Sequence, residues 1–255
     1  MKLTGRTILI TGGTSGIGLE FAKQLVAQRN TVLITGRDAA RLAATKSKLA
    51  VHTYVSDAGN VADIQQLQRS IAAEFPNLDT LINNAGIMRN LNLNLNQPRE
   101  LTDVTRELAV DLCGPIQMVQ AFLPALKARP NALIVNVSSG LAFVPFPLAP
   151  MYSAAKAGIH AYTRCLRAQL ARSQVRVVEL APPGTETPLF RGEFEKEMRG
   201  QKGMDVAALV KQAIAGMESG KTEIRPGLSN VLYLLSRIAP QLPFGQMTKM
   251  LPTVP

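Results

Sequence analysis

A tyrosine and a lysine stand four residues apart in MYSAAKAG, residues 151–158. On a helix, Tyr152 and Lys156 occupy one face, one turn apart. A free phenol has a pKa of about 10 and is a poor acid or base at neutral pH. An ammonium held beside it stabilises the phenolate and brings that pKa towards the working range. The pair therefore has the makings of a general acid–base, although the same spacing describes a surface tyrosine beside a solvated lysine. A second stretch with chemistry in it is TGGTSGIG, Thr11 to Gly18. Gly12, Gly16 and Gly18 permit a tight turn and close approach of a pyrophosphate to the backbone. Thr14, Ser15 and Ile17 lie between them, and the helix that follows aims its N-terminus at negative charge.

These residues need elements to hold them, and the apolar periodicity supplies candidates. TILIT (7–11), TVLIT (31–35), VHTYV (51–55), DTLIN (79–83), ALIVNV (132–137) and VRVVEL (175–180) read as buried strands. Between them IGLEFAKQLVAQ, VADIQQLQRSIAAEF, a stretch from about 98 to 127 and another from 152 to 172 carry helical spacing. Nearly all-apolar strands alternating with helices imply an α/β fold, a doubly wound parallel sheet covered on both faces. The glycine loop then sits where a dinucleotide site belongs, after a strand and before a helix. NLNLNLNQP (90–98) reads as a low-complexity loop, and a proline-rich tail runs from about 226 to 255. No repeat or linker divides the chain, so a single domain over 1–255 is expected.

Composition narrows the class. The 255 residues are 46% hydrophobic and 18% charged, which suits a large globular core. Cys113 and Cys165 form no disulfide framework, and with His52 and His160 they make no metal-ligand cluster. A reducing compartment, the cytoplasm, is expected. MKLTGRTILITGG has too short an apolar run for a signal peptide, and no stretch approaches the roughly 18 apolar residues of a membrane span. The net charge is +10, and eight Lys and Arg against two acids in the first fifty residues contribute +6 of it. The basic residues are scattered, so an anionic cofactor is favoured over a nucleic-acid partner.

TGGTSGIG, NNAG (83–86), NVSS (136–139) and YSAAK (152–156), in this order and at these distances, resemble the short-chain dehydrogenase/reductase family over about residues 3–189. MKLTGRTILITGG, NNAGIM and RIAP are similar to its DltE-like oxidoreductase branch. The resemblance implies a Rossmann fold and hydride transfer between a nicotinamide cofactor and a carbonyl or alcohol. Tyr152 would exchange the proton, Ser139 (thirteen residues earlier) would hydrogen-bond the same oxygen, and Lys156 would tune Tyr152 and hold the nicotinamide ribose. Asp57 would bind adenine beside the Ala58 backbone. Asn83, Ala85 and Gly86 would line the cofactor, Asn83 alternatively stabilising the sheet. Thr187, placed by its spacing from Pro182, would hold the carboxamide, with Pro183 where the family usually has glycine. Residues from about 189 to 203 correspond to a substrate lid. Pairing through the helices near 98–127 and 152–172 would give a homodimer or homotetramer.

The family's choice of cofactor is made at the end of the second strand. Here Gly36 and Arg37 replace an acid, and an arginine forks onto a phosphate, which favours NADP(H). Ser15 stands where some NADP-preferring relatives carry a second base, and Asp38 is near enough to offer a ribose ligand, which keeps NAD(H) possible. Asp111, in AVDLCG, stands where the family usually has asparagine. An ionised acid there would pair with Lys156 and oppose its pull on Tyr152. The apolar GLAFVPFPLAPM (140–151) suggests a hydrophobic ketone, aldehyde or alcohol as substrate. The competing reading is a cofactor-binding sensor or scaffold with weak or lost catalysis.

Overall fold

A computed structural model describes residues 2–91, 93, 100 and 104–251. The six expected strands form as β1 (Thr7–Ile10), β2 (Thr31–Gly36), β3 (Val51–Val55), β4 (Thr80–Asn83), β5 (Leu133–Val137) and β6 (Arg176–Leu180). A seventh, β7 (Glu223–Ile224), is two residues long and joins the edge. All pairs are parallel, in the order β3-β2-β1-β4-β5-β6-β7. The order reverses at β1, where a doubly wound sheet opens its ligand crevice.

The two-residue period of each strand divides its side chains between two cores. Ile8, Ile10, Val32, Ile34, Leu133 and Val135 face one side. There α1 (Gly16–Ala27) and α7 (Val206–Glu218) cover them with Phe21, Leu25, Val210 and Ile214. Leu9, Leu33, Leu81 and Ile134 face the other, beneath α3 (Val61–Glu74), α4 (Gly114–Lys127) and α5 (Pro150–Gln169). Each such fully buried aliphatic side chain contributes roughly 1.5–3 kcal/mol.

The remaining helices are α2 (Ala39–Lys46), α6 (Pro188–Arg191), α8 (Leu228–Ile238) and α9 (Gln241–Thr248). Neither α2 nor α7 emerged from the periodicity. In α2 only Leu42 and Thr45 are buried, too thin a stripe to stand out. The amphipathic helical stretch that LSNVLYLLSRIAPQL suggests within the proline-rich tail forms as α8, and it is strongly two-faced. Leu232 is buried while Ile238 is 81% exposed. The 90–98 loop lies largely outside the described residues, as does part of the start of the 98–127 stretch.

Arg106–Lys127 is long and apolar enough to cross a membrane by length and composition, contrary to the expectation that no such run exists. In the fold Met118, Val119, Phe122 and Leu126 are packed into the second core. The run begins as a short helical turn (Arg106–Leu108), passes through a π turn (Ala109–Cys113) and continues as α4. The wide turn carries Asp111 inward, and a π turn of this kind often marks a functional site.

Candidate active site

The glycine loop is locked from two sides. The Thr11 hydroxyl accepts the backbone amides of Asn84 (2.9 Å) and Ala85 (3.0 Å). Asn84 Nδ2 donates to the carbonyls of Thr11 (2.9 Å) and Gly12 (3.2 Å). Gly12 and Gly16 have φ of +67° and +51°, a conformation costly for other residues. A Cβ on Gly12 would lie 2.9 Å from the Ala85 Cα. Gly18 plays another part: it is not in the cleft wall, and a Cβ there would collide with the Gly12 carbonyl. It is the contact that lets α1 start against the loop.

The start of α1 also fits an anion. Ser15 makes no side-chain cap bond and the first turn holds no acid, so its leading amides lack a side-chain partner. By contrast, Asp38, Asn60 and Asp205 cap α2, α3 and α7. A nicotinamide dinucleotide therefore suits the residues present. A cavity of about 690 Å³ runs past this loop. Gly12, Thr14, Ser15, Gly16 and Ile17 line it, and so do Ala85, Gly86, Pro182 and Thr187. Thr187 Cγ2 would lie 3.2 Å from a Cβ on Gly16, and its hydroxyl caps α6 by accepting the Phe190 amide.

At one end Arg37 and Arg41 both border the cavity. Asp38 stands between them in the same wall, accepting the Arg41 amide at 3.0 Å and pairing with its guanidinium at 3.4 Å. Arg41 escaped the sequence reading; the signal was a base one helical turn beyond Arg37. Asp57 and Ala58 line the cavity nearby. The Asp57 carboxylate accepts the Gly59 amide (2.8 Å) and pairs with Arg106.

Asn83 is not in the wall. Its side chain is buried between strands, donating to Asn136 Oδ1 at 2.9 Å, and Asn136 Nδ2 donates to Thr163 Oγ1 at 2.9 Å. The expected cofactor contact is thus corrected to the sheet-stabilising role, because Asn83 is paired in register with Asn136 and shares its face of the sheet, beneath α4.

At the cavity's centre Ser139, Tyr152 and Lys156 come together. Ser139 follows β5 in extended backbone, and its hydroxyl accepts the Leu141 amide at 3.1 Å. It also hydrogen-bonds the Tyr152 phenol. Lys156 is buried, donates to the Val137 carbonyl at 3.1 Å, and stands 5.3 Å from the centroid of the Tyr152 ring. Asp111, wholly buried and behind this group, accepts the Ile87 amide on Oδ1 at 2.9 Å, and Oδ2 has no hydrogen-bond partner among the described residues. Glu107, one turn earlier, is a second buried acid that the sequence reading missed, and it accepts the Arg89 amide at 3.0 Å.

Burial dominates the electrostatics. It lifts the Asp111 carboxyl to about 7; the Lys156 ammonium and the Ile87 amide oppose the rise, and Glu107 adds to it. Burial lowers Lys156 below its ordinary value, with Asp111 pulling the other way. Tyr152 moves up rather than down: burial raises it, the Asp111 charge adds to that, and the Ser139 hydrogen bond lowers it. The expected depression by Lys156 does not prevail: burial and the Asp111 charge set the direction.

Beyond Tyr152 the cavity is mostly apolar, with Gln201 and Lys202 also in its wall. Met88, Leu141, Leu189, Phe190, Met247 and Met250 pack around Phe146, Phe194 and Met198. Leu228 and Leu232 of α8 reach the same wall. The 189–203 segment is part of this enclosure, with Phe194 fully buried and its ring tilted at 49° to that of Phe146, 5.6 Å between centroids.

Comparison with known proteins gives the same assignment. The short chain dehydrogenase family matches residues 6–198. The chain is 38% identical over 225 residues to the uncharacterized oxidoreductase DltE of Bacillus subtilis (strain 168), covering 88% of this chain and 89% of that one. It is 31% identical over 212 residues to the NADP-dependent 3-hydroxy acid dehydrogenase YdfG of Salmonella typhi, covering 81% and 85%. A short chain dehydrogenase from Burkholderia cenocepacia J2315, solved in complex with NADP, shares the fold with a TM-score of 0.81 at 24% identity over 99% of this chain and 100% of that one. A 3-ketoacyl-(acyl-carrier-protein) reductase from Brucella melitensis, solved with NADH, gives 0.76 at 27% identity over 88% and 96%. The protein belongs to the short-chain dehydrogenase/reductase family, as an oxidoreductase of its DltE-like branch.

Proposed function

We propose that the protein is an NADPH-dependent carbonyl reductase acting on an apolar ketone or aldehyde, with the secondary or primary alcohol as the reverse substrate. The observation that carries this is the meeting of Ser139, Tyr152 and Lys156 midway along one cavity. At one end lie Arg37, Arg41 and the open start of α1; at the other lies a methionine- and phenylalanine-rich chamber.

When bound, the nicotinamide supplies the hydride, and the remaining work falls to this chain. The Ser139 hydroxyl hydrogen-bonds the substrate carbonyl oxygen and polarises it. The Tyr152 phenol delivers its proton to that same oxygen, or removes it in reverse. Its raised pKa suits it to the reducing direction, in which it must be protonated at the start. Lys156 is held by the Val137 carbonyl and compensates charge around the phenol. The apolar chamber orients the substrate's hydrocarbon part and excludes water.

Two features support NADPH over NADH. Arg37 and Arg41 border the cavity at the end of β2, and Asp38, the acid beside them in the wall, is paired with Arg41. The relative YdfG is named as NADP-dependent. A homodimer or homotetramer in the cytoplasm completes the reading.

Titration with NADPH and NADH, followed by nicotinamide fluorescence, and a screen of aromatic and aliphatic aldehydes and ketones tests it. Tighter NADPH binding with turnover of apolar carbonyls is the expected result. Preferred NADH overturns the cofactor assignment, and binding without turnover of any carbonyl transfers the chain to the sensor or scaffold reading.

A further inference from the structure

A buried acid that the reaction above does not use joins three elements behind the active site. Glu179 lies on β6, opposite Asn136 of β5, and is 1% exposed. Its Oε1 accepts the Ser138 hydroxyl at 2.5 Å. His160 Nδ1 lies 2.8 Å from Oε2 and 3.0 Å from Oε1, so this ring nitrogen carries the proton that the carboxylate accepts. His160 Nε2 is buried and has no hydrogen-bond partner among the described residues, while the ring meets the edge of Phe143 at 5.2 Å.

The three members sit on the pieces of chain that carry the catalytic groups. Ser138 immediately precedes Ser139. His160 is one turn beyond Lys156 and two beyond Tyr152 on α5. Glu179 lies three residues before the cavity-lining Pro182. Phe143, on the turn after Ser139, links the cluster to Tyr233 of α8 at 5.1 Å between rings. Main-chain bonds from Ser138 to Leu180 and from Gly140 to Pro182, both 2.8 Å, bracket Ser139 but leave its own amide and carbonyl outside that ladder. A buried carboxylate is costly unless hydrogen-bonded. Such a cluster is kept where it makes one geometry much better than its neighbours.

We propose that Glu179 and His160 are positioning residues that act through Ser138. They hold the strand end bearing Ser139 at a set distance from the helix bearing Tyr152 and Lys156. The proposal rests on the carbonyl-reductase reading. Its signature is a loss in turnover with cofactor binding intact, since the cluster touches neither Arg37 nor the glycine loop.

The test compares the natural chain with Glu179→Ala, Glu179→Gln, His160→Ala and His160→Asn, using NADPH and 4-nitrobenzaldehyde as the carbonyl probe. Asparagine at 160 offers an N–H near the place of Nδ1. The two alanine variants are expected to lose about 10- to 100-fold in kcat, the cost of a misplacement near one ångström. The NADPH Kd should stay within about twofold, and His160→Asn should recover most of the loss. Glu179→Gln, with one acceptor oxygen for two donors, should fall between, and it guards against an alanine variant that fails to fold. The chain has only two histidines, so nitrogen-15 spectra of the cofactor-free protein report His160 directly. An Nδ1–H signal perturbed by Glu179→Gln is expected. Unchanged kcat in all four variants, parallel loss of NADPH affinity, or His160→Asn no better than His160→Ala overturns the proposal. A natural chain that binds NADPH yet reduces no carbonyl overturns the functional reading itself, whatever the spectra report.

Discussion

Lys156 Nζ stands 5.3 Å from the centroid of the Tyr152 ring and donates its hydrogen bond at 3.1 Å to the Val137 carbonyl. The ammonium thus lies over the ring face, and a carbonyl on β5 holds it there. Tyr152 remains a buried, protonated phenol in the free chain, suited to giving a proton to a carbonyl oxygen that enters beside Ser139.

Removing that proton tests the assignment most directly. Tyr152→Phe keeps the ring and its packing among Phe146 and Met198 while deleting the hydroxyl. Turnover of carbonyl substrates should fall by roughly 10²- to 10⁴-fold, with NADPH affinity nearly unchanged. Equal loss of both would mean that the tyrosine supports the cavity and not the chemistry.

The two arginines at the far end predict cofactor choice. Arg37→Ala and Arg41→Ala should each weaken NADPH by about 10- to 100-fold, the worth of a charge-assisted hydrogen bond. NADH affinity should hardly move. Measuring both nucleotides by fluorescence titration at one ionic strength separates a contact to phosphate from a general loss of positive charge.

Asp111 should leave a mark on the pH dependence of stability. Its carboxyl is raised to about 7 in the fold, against about 4 in an unfolded chain. A raised acid contributes stability that is fully present below the unfolded pKa and is lost as pH rises through the folded one. Between pH 5 and 8 the natural chain should therefore lose on the order of 2–3 kcal/mol relative to Asp111→Asn. Urea unfolding at several pH values reads this as a gap that opens with rising pH. The pH–rate profile should shift in parallel; superimposable profiles would mean that the Asp111 charge never reaches Tyr152.

Gly18 separates packing from binding. A methyl at this position would meet the Gly12 carbonyl and Asn84 Nδ2, both of which hold the loop. Gly18→Ala should cost about 1–3 kcal/mol, a melting temperature lower by roughly 2–10 °C, and NADPH affinity should drop because the loop shifts. A variant that melts like the natural chain would show that the loop gives way at little cost.

Sequence alone carried the sheet, the glycine loop and the Tyr152–Lys156 pair, and the family resemblance added Ser139. Each of these depends on spacing within a short stretch: apolar runs of strand length, glycines that allow φ near +60°, a phenol and an ammonium one helical turn apart. The two-residue β7 and the thin apolar stripe of α2 were too weak as local patterns to stand out. Tertiary structure decided matters that depend on what lies across the fold. It turned Asn83 onto Asn136 and into the sheet, and it set Arg41 beside Arg37 while engaging Asp38. It also gathered Ser138, His160 and Glu179 from three elements. It reversed the expected direction for Tyr152, since the pKa of a phenol follows the water removed from it as well as the charge beside it. Spacing along a chain records which groups are neighbours on one element, whereas desolvation and cross-strand pairing arise only when distant elements close over them.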